Sequence, residues 1–493
     1  MNTLTRRKFL GGATAAMALA ARARAEEKGS ADSGLAIFHT TDLHGHILST
    51  ESYEGEKDLG GLARCASQIR AWRKQSPHHL LLDIGDVYQG TLVSWQTRGK
   101  LMIDLFNKLG YDAWVLGNHE FDWGPEVVEE ALNRSNMPVL AANVKLDGKL
   151  VGAERTEGLF QKLRPWIMRE VAGEKVAVIG LITPGLPAWL RPELLGPLEA
   201  VDPAPVLQRC VAEVKSEGAT KIIVAGHMGY RERGDDYANP LAHTLRDSGV
   251  QAYLGGHSHR RNERFLVEGV PCTQASYHGL DCGRVRFMAD LARMELARMD
   301  AAVASDEVVL QAARPFLEKA EAETARVVGQ VPVALSGTAA IRDFLAEAFL
   351  AAASRSGEEA EGVFHGTFGT KEIARGDFTV ADAWQHLPYE NRLVLAELTS
   401  EELVAVLQEA EGDRYSDRAL FGLQVIRDAA GKVVAVRGTP QRERYRVIFN
   451  SYDAQSGGRR LTTLRDILAR PAARSRLIPL DTREALLDYV ADL

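Results

Sequence analysis

The chain has 493 residues, 45% of them hydrophobic and 25% charged, the proportions of a folded protein and not of a disordered one. Such a length is too great for one ordinary domain and predicts two or three. A formal net charge of −7, with no basic cluster interleaved with aromatics, excludes a nucleic-acid scaffold.

Residues 1–25 read as a targeting segment. Thr5-Arg6-Arg7-Lys8-Phe9-Leu10 is a twin-arginine motif, an apolar run from Leu10 to Ala21 follows, and Ala23-Arg24-Ala25 fits a small-x-small cleavage site. The run is shorter than the ~20 residues of a membrane span. We expect export through the twin-arginine translocase, a mature chain starting near Glu26 in a periplasm or outside the cell, and no stable membrane span. A cytosolic N-terminal helix is the alternative.

From residue 34 strands and helices alternate. LAIFHTT, HLLLDI, AWVLG, KIIVAG and QAYLGG read as strands. LGGLARCASQIRAWRKQ is amphipathic, with Leu62, Cys65, Ile69 and Trp72 on one stripe. KLMIDLFNKLG is a helix closed by Gly110, GPEVVEEALNR one opened by Pro125, and PAPVLQRCVAEVKSEG one ended by Gly218. This alternation predicts a layered α/β domain over 34–290. The Ala/Glu-rich ASDEVVLQAARPFLEKAEAETARVVG reads as a helix broken or kinked at Pro315, within a helical linker over 291–330. A smaller α/β domain over 331–493 follows. In it AAIRDFLAEAFLAAAS and SEELVAVLQEAEG are helices, the latter capped by Ser400, and RLVLAELT is a strand. Of Cys65, Cys210, Cys272 and Cys282, the last two flank a strand–turn region and could pair; buried free thiols are the alternative.

Each of the five predicted strands runs into a short polar motif: Asp42-Leu43-His44, Gly85-Asp86, Gly117-Asn118-His119-Glu120, Gly226-His227 and Gly256-His257-Ser258-His259. Strand ends on one sheet edge are where α/β proteins hold ligands. Any one of these motifs alone is an ordinary turn or polar loop; together they bring oxygen and imidazole donors to one place. A dinuclear hydrolytic centre needs such donors, with one group bridging the ions. We assign Asp42, His44, Asp86 and His259 to one divalent ion and Asp86, Asn118, His227 and His257 to the other, Asp86 being the bridge. The set suits Mn²⁺, Zn²⁺ or Fe and is softer than a Mg²⁺ cage. Two ions ~3.5–4 Å apart clamp an oxyanion and lower the pKa of bound water to ~7. His119, directly after a ligand, is left free to protonate or stabilise a leaving oxygen, and Asp122 could accept its other ring N–H.

In this order the motifs resemble those of the calcineurin-like metallophosphoesterases. FHTTDLHGHI, LLDIGDVYQGT, LGNHEFDWG and LGGHSH resemble one branch, the secreted 5′-nucleotidase family, over roughly residues 34–470. The resemblance implies a four-layer αββα catalytic domain with a dinuclear site and His119 and Asp122 as the catalytic pair. It also implies a second α/β domain that supplies the substrate pocket. ARGDFTVADAWQHLPYENRLVLAELTSEELVAVL and NSYDAQSGGRR resemble that domain's signature segments and suggest Asn391, Gly457, Gly458 and Arg459 as substrate-binding residues.

The chain departs from the family pattern in three places. Thr370 in His365-Gly366-Thr367-Phe368-Gly369-Thr370 stands where a substrate-gripping Arg is expected. Leu461 in Gly457-Gly458-Arg459-Arg460-Leu461 replaces a stacking aromatic, and Phe421 before Gly422 is out of register for the second one. Stacking a base is worth ~1–3 kcal/mol, and one Thr hydroxyl does not replace a bidentate Arg. The expected function is hydrolysis of a nucleotide or another small phosphate ester. The alternatives are a 2′,3′-cyclic nucleotide phosphodiesterase, a thiosulfohydrolase-like enzyme (a group that lacks the Asn-His pair) and a non-catalytic metal- or solute-binding protein.

Overall fold

The computed structural model describes residues 34–152, 158–232, 234–288, 291–367, 371–413 and 416–493; the expected targeting segment 1–25 and Thr370 lie outside the described residues. In the first domain two sheets face each other. The seven-stranded sheet has the order Leu291–Arg298, Asp281–Met288, Ala36–Thr40, His79–Asp83, Ala113–Val115, Val139–Leu140, Leu163–Arg164. The six-stranded sheet has the order Arg261–Val267, Val270–Ala275, Ala252–Gly255, Lys221–His227, Glu174–Ile182, Trp166–Val171.

Strand alternation sorts the side chains into layers. Leu35 and Ile37 pack inward with Leu80, Leu82, Val178, Ile223 and Leu254, forming the core between the sheets. Ala36 and Phe38 point outward, beneath helices Leu62–Gln75, Lys100–Leu109 and Pro125–Arg134. On the far side Leu207, Cys210 and Val214 of helix Pro203–Ser216 cover the second sheet. The layers therefore run helix, sheet, sheet, helix, the αββα arrangement expected. All five motif-bearing runs form strands. Ala36–Thr40, His79–Asp83 and Ala113–Val115 are parallel neighbours, as are Lys221–His227 and Ala252–Gly255. Their C-terminal ends consequently share an edge, and the motifs meet there.

Local signals mostly hold. The stripe Leu62, Cys65, Ile69 and Trp72 is buried, Gly110 closes its helix in the left-handed region at φ 69°, and Pro125 opens the next helix. Four expectations are corrected. The catalytic sheet does not end at 290, because Leu291–Arg298 pairs along its whole length with Asp281–Met288. The helical part of the connector is only Glu307–Thr324, and it runs unbroken through Pro315. Pro315 is on its exposed side, where the carbonyl that loses its partner is open to water. Thr399, not Ser400, caps the helix Ser400–Gly412: its backbone is extended, and it forms a capping box with Glu402. Cys272 and Cys282 do not pair, since they lie in the outer cores on opposite sides of the sandwich; all four cysteines are buried thiols.

The second domain has a five-stranded sheet in the order Ala419–Phe421, Gly362–His365, Arg444–Asn450, Arg392–Thr399, Arg476–Asp481. Helices Thr338–Arg355 and Thr482–Ala491 cover one face, and Ser400–Gly412 and Thr462–Leu468 the other.

Gly180 of the six-stranded sheet packs tightly on the seven-stranded one: a β-carbon there would stand 2.2 Å from Leu140 Cβ. Gly180→Ala should therefore cost ~1–3 kcal/mol by overpacking. Thermal unfolding should show a lowered midpoint for this variant and none for Gly412→Ala, whose β-carbon meets open space.

Candidate metal centre

The motifs leave their strands through unusual backbone. Asp42, His44, Asp86, His257 and His259 all have φ between 49° and 75°. Few side chains accept that region; Asp and His are among those enriched in it. Glycine provides the room around them: a β-carbon on Gly117 would lie 2.2 Å from Asp86 Oδ1. Glu120 ties two of the loops together. Its buried carboxylate accepts the N–H groups of Asp86 at 3.0 Å, Val87 at 2.7 Å and Gly117 at 2.6 Å. Burial and the Asp86 charge push its carboxyl up to about 7. Glu120 stands in a motif, yet its part in fixing the loops is visible only in three dimensions.

The seven candidate ligands converge. Ligand atoms of Asp42, His44, Asp86 and His259 lie within 4.8 Å of one another, and so do those of Asp86, His227 and His257. Asp86 belongs to both groups. Asn118 Oδ1 is 2.7 Å from His257 Nδ1, which places it with the second. The tautomers follow from the surroundings: His44 Nδ1 is 2.8 Å from the carbonyl of Gln89, and His227 Nδ1 2.7 Å from that of Ile84. Those nitrogens donate, so each Nε2 turns a lone pair toward the centre. His44 Nε2 is 3.0 Å from His259 Nε2. His227 Nε2 is buried 3.0 Å from Asp86 Oδ2 without a well-formed hydrogen bond. Imidazole lone pairs and carboxylates crowded in this way fit two divalent cations. The same field attracts protons. Burial opposes an imidazolium at His227, but Asp86 and Asp42 outweigh it and hold His227 up to about 9.

His119 and Asp122 lie beside this cluster. His119 Nδ1 is 2.7 Å from Asp122 Oδ2, and the His119 main-chain N–H donates to Asp86 Oδ1 at 2.9 Å. Burial disfavours a charged His119, yet Asp122 and Asp86 raise it to about 10. The ring of Tyr389 from the second domain stacks 6.0 Å away.

Both domains line one cavity of about 1030 Å³. The first contributes Asp86, Asn118, His119, Asp122, Trp189, His257 and His259, and the second His365, Tyr389, Asn391, Arg418, Asn450 and Asp453. Of the expected substrate residues, Asn391, Gly458 and Arg459 line it. Gly457 is not on the wall; it sits in a left-handed turn, φ 52°, behind Asp453. Leu461 is buried in the domain core and Phe421 packs on the other core cluster, so neither faces the cavity. Arg418 was not marked by any motif. It reaches the wall because it directly precedes the strand Ala419–Phe421, which pairs with Gly362–His365, and Asp453 fixes it with bonds of 2.7 and 2.9 Å. Trp189, Tyr389 and Tyr452 supply aromatic surface that the sequence reading also missed.

The comparisons with known proteins agree with this geometry. A family model described as calcineurin-like phosphoesterase matches residues 35–261, and one described as 5′-nucleotidase, C-terminal domain, matches residues 323–466. A snake venom 5′-nucleotidase of Gloydius brevicauda is 35% identical over 243 residues, 48% of this chain and 38% of that protein. The chain thus matches about two fifths of that relative's length. The structure of a 5′-nucleotidase precursor from Thermus thermophilus superposes with a TM-score of 0.71 at 28% identity, covering 93% of this chain and 96% of the other. A sulfate thiohydrolase from the same organism shares the fold, with a TM-score of 0.63 at 19% identity over 93% of this chain and 94% of the other. Residues 35–261 thus form a calcineurin-like phosphoesterase domain and residues 323–466 a 5′-nucleotidase C-terminal domain, the arrangement of the Thermus thermophilus 5′-nucleotidase precursor.

Because Asp86 and Asp42 hold His227 up to about 9, a cation competes with a proton for its Nε2 near neutral pH. Metal binding should release protons, and Mn²⁺ affinity should rise steadily as pH is raised from 6 to 9 and fall as pH is lowered and the imidazole is reprotonated. Isothermal titrations across that range in two buffers of different ionisation enthalpy measure both effects; an affinity independent of pH would contradict the ligand role of His227.

Proposed function

We propose that this chain is an exported, metal-dependent phosphoric-ester hydrolase of the 5′-nucleotidase type. The sharing of Asp86 between two ligand groups, beside His119–Asp122 and on the wall of an interdomain cavity, is the observation that carries this reading. Asp42, His44, Asp86 and His259 would hold one ion, and Asp86, Asn118, His227 and His257 the other. Bound there, divalent cations supply Lewis acidity toward phosphate oxygens and toward an attacking water. The protein does the remaining work. Asp122 fixes the His119 ring through Nδ1, and His119 gives a proton to the leaving oxygen from its other nitrogen. Arg418, Arg459 and Asn391 surround the alcohol part of the ester.

The names of the relatives favour a nucleotide as substrate. With Leu461 and Phe421 turned away, a base would have to pack on Trp189, Tyr389 or Tyr452. A cyclic diester suits the same centre. The intact Asn118–His119 pair favours a phosphoester over the thiosulfohydrolase reading, and a complete ligand set with His119 favours an enzyme over a binding protein. Export by the twin-arginine translocase, which carries folded chains, suits a buried metal centre loaded before transport. No helix of the described residues is long and apolar enough to cross a membrane.

The Mn²⁺-loaded chain from Glu26 should release phosphate from AMP and lose that activity with EDTA. His119→Ala should lower kcat by ~10²–10⁴-fold with metal content unchanged. No phosphate from AMP or sugar phosphates, together with no 2′- or 3′-AMP formed from 2′,3′-cyclic AMP, would contradict the hydrolase reading.

A further inference from the structure

The segment Tyr389-Glu390-Asn391 of the second domain reaches into the first at the metal centre. The side chains of Glu390 and Arg483 are only 8% and 4% exposed. Glu390 Oε1 accepts from Arg483 Nη2 at 3.1 Å, and Oε2 accepts from Gln89 Nε2 at 2.8 Å across the domain boundary. Arg483 is itself immobilised: its Nε donates to the Leu387 carbonyl at 2.9 Å, and its guanidinium lies 3.5 Å over the Trp384 ring. Gln89 is in the loop that begins at Asp86, and its carbonyl accepts the Nδ1–H of His44. That loop has no slack, because a β-carbon on the next residue, Gly90, would stand 2.7 Å from the His44 carbonyl oxygen. A continuous run of bonds therefore joins Arg483, Glu390, Gln89 and the imidazole of His44.

A buried ion pair contributes little net stability once desolvation is counted. This one bonds a side chain whose own carbonyl orients a candidate ligand. We propose that Glu390 is a positioning residue for the ion held by Asp42, His44, Asp86 and His259: by fixing Gln89 it aims His44 Nε2, so docking of the second domain completes the first ion's site. The neighbours fit the same role. Tyr389 packs on His119, and Asn391 Oδ1 accepts from Ser451 Oγ at 3.2 Å and the Tyr452 N–H at 3.1 Å, on the cavity wall. The inference rests on the two-ion reading above, but not on any particular substrate.

The test is titration of the full mature chain with Mn²⁺, read by calorimetry and by electron paramagnetic resonance. Wild type should bind two ions and give a spin-coupled pair signal. Glu390→Ala keeps the Gln89 carbonyl but frees its position, and should weaken one ion by ~10-fold, the lower end of the scale for losing a ligand's outer hydrogen bond, leaving the signal of isolated Mn²⁺. Gln89→Met keeps the Glu390–Arg483 pair and should do the same, carrying the test if Glu390→Ala fails to fold. Glu390→Gln, which can still bond Gln89, should recover most of the affinity. The double variant should be no worse than either single one, since both cut the same run. Two ions bound with wild-type affinity and a coupled signal in both Glu390→Ala and Gln89→Met would overturn the proposal. Fewer than two ions in wild type would overturn it together with the two-ion reading. Two ions without ester hydrolysis would overturn only the hydrolase reading.

Discussion

One buried carboxylate, Asp86, stands in both candidate ligand groups, and holding it there organises the motif-bearing edge of the first domain. Asp86 belongs to both ligand groups, lies 3.0 Å from His227 and 3.8 Å from His44, and is 1% exposed. Nothing in a loop would hold a charge there unaided. The parallel strands deliver it to the shared edge, left-handed backbone turns it inward, the absent side chain of Gly117 leaves it space, and Glu120 grips the N–H groups on either side. Burial works against every charged member of the cluster, so the centre is stable only with compensating positive charge, as protons or as metal. That is the physical reason this fold gathers a candidate metal-binding cluster and not a looser polar pocket.

Much of this was legible in the sequence, for reasons that differ from element to element. The catalytic strands were plain because they are continuous apolar runs buried on both faces, and each ends in a polar motif. The helices beside them carry one-sided stripes with Gly or Pro at their ends. Leu291–Arg298 was missed because LARMELAR has helical composition and becomes a strand only by pairing with Asp281–Met288, a tertiary effect. Pro315 misled because its cost depends on which side of the helix it occupies. The candidate ligands were readable as a set, since their order and spacing along the chain reflect strand ends. Arg418 and Trp189 were not, because they come to the cavity from elements with no chemical motif of their own. Gly457 had a motif and yet lies behind the wall, which shows that matching a segment does not fix which of its atoms face the ligand.

The second domain is joined to the first by specific contacts, not merely by the connector. Ser456 Oγ donates to the Ala188 carbonyl at 3.0 Å, next to Trp189 on the cavity wall. The connector helix buries Val309, Ala313 and Ala320 in the first domain's outer core. The candidate metal ligands and the expected substrate residues thus face one cavity from opposite sides. Trp189, Tyr389 and Tyr452 give the cavity aromatic surface, while Leu461 and Phe421, at the positions expected to stack, face the core.

The most direct measurement of the central claim is the metal stoichiometry of Asp86→Ala compared with Asp42→Ala and His257→Ala, by elemental analysis after equilibration with Mn²⁺. If Asp86 bridges, wild type holds two ions per chain, Asp42→Ala and His257→Ala each retain one, and Asp86→Ala retains none. Retention of both ions by Asp86→Ala, or loss of only one, would show that the two groups do not share that carboxylate.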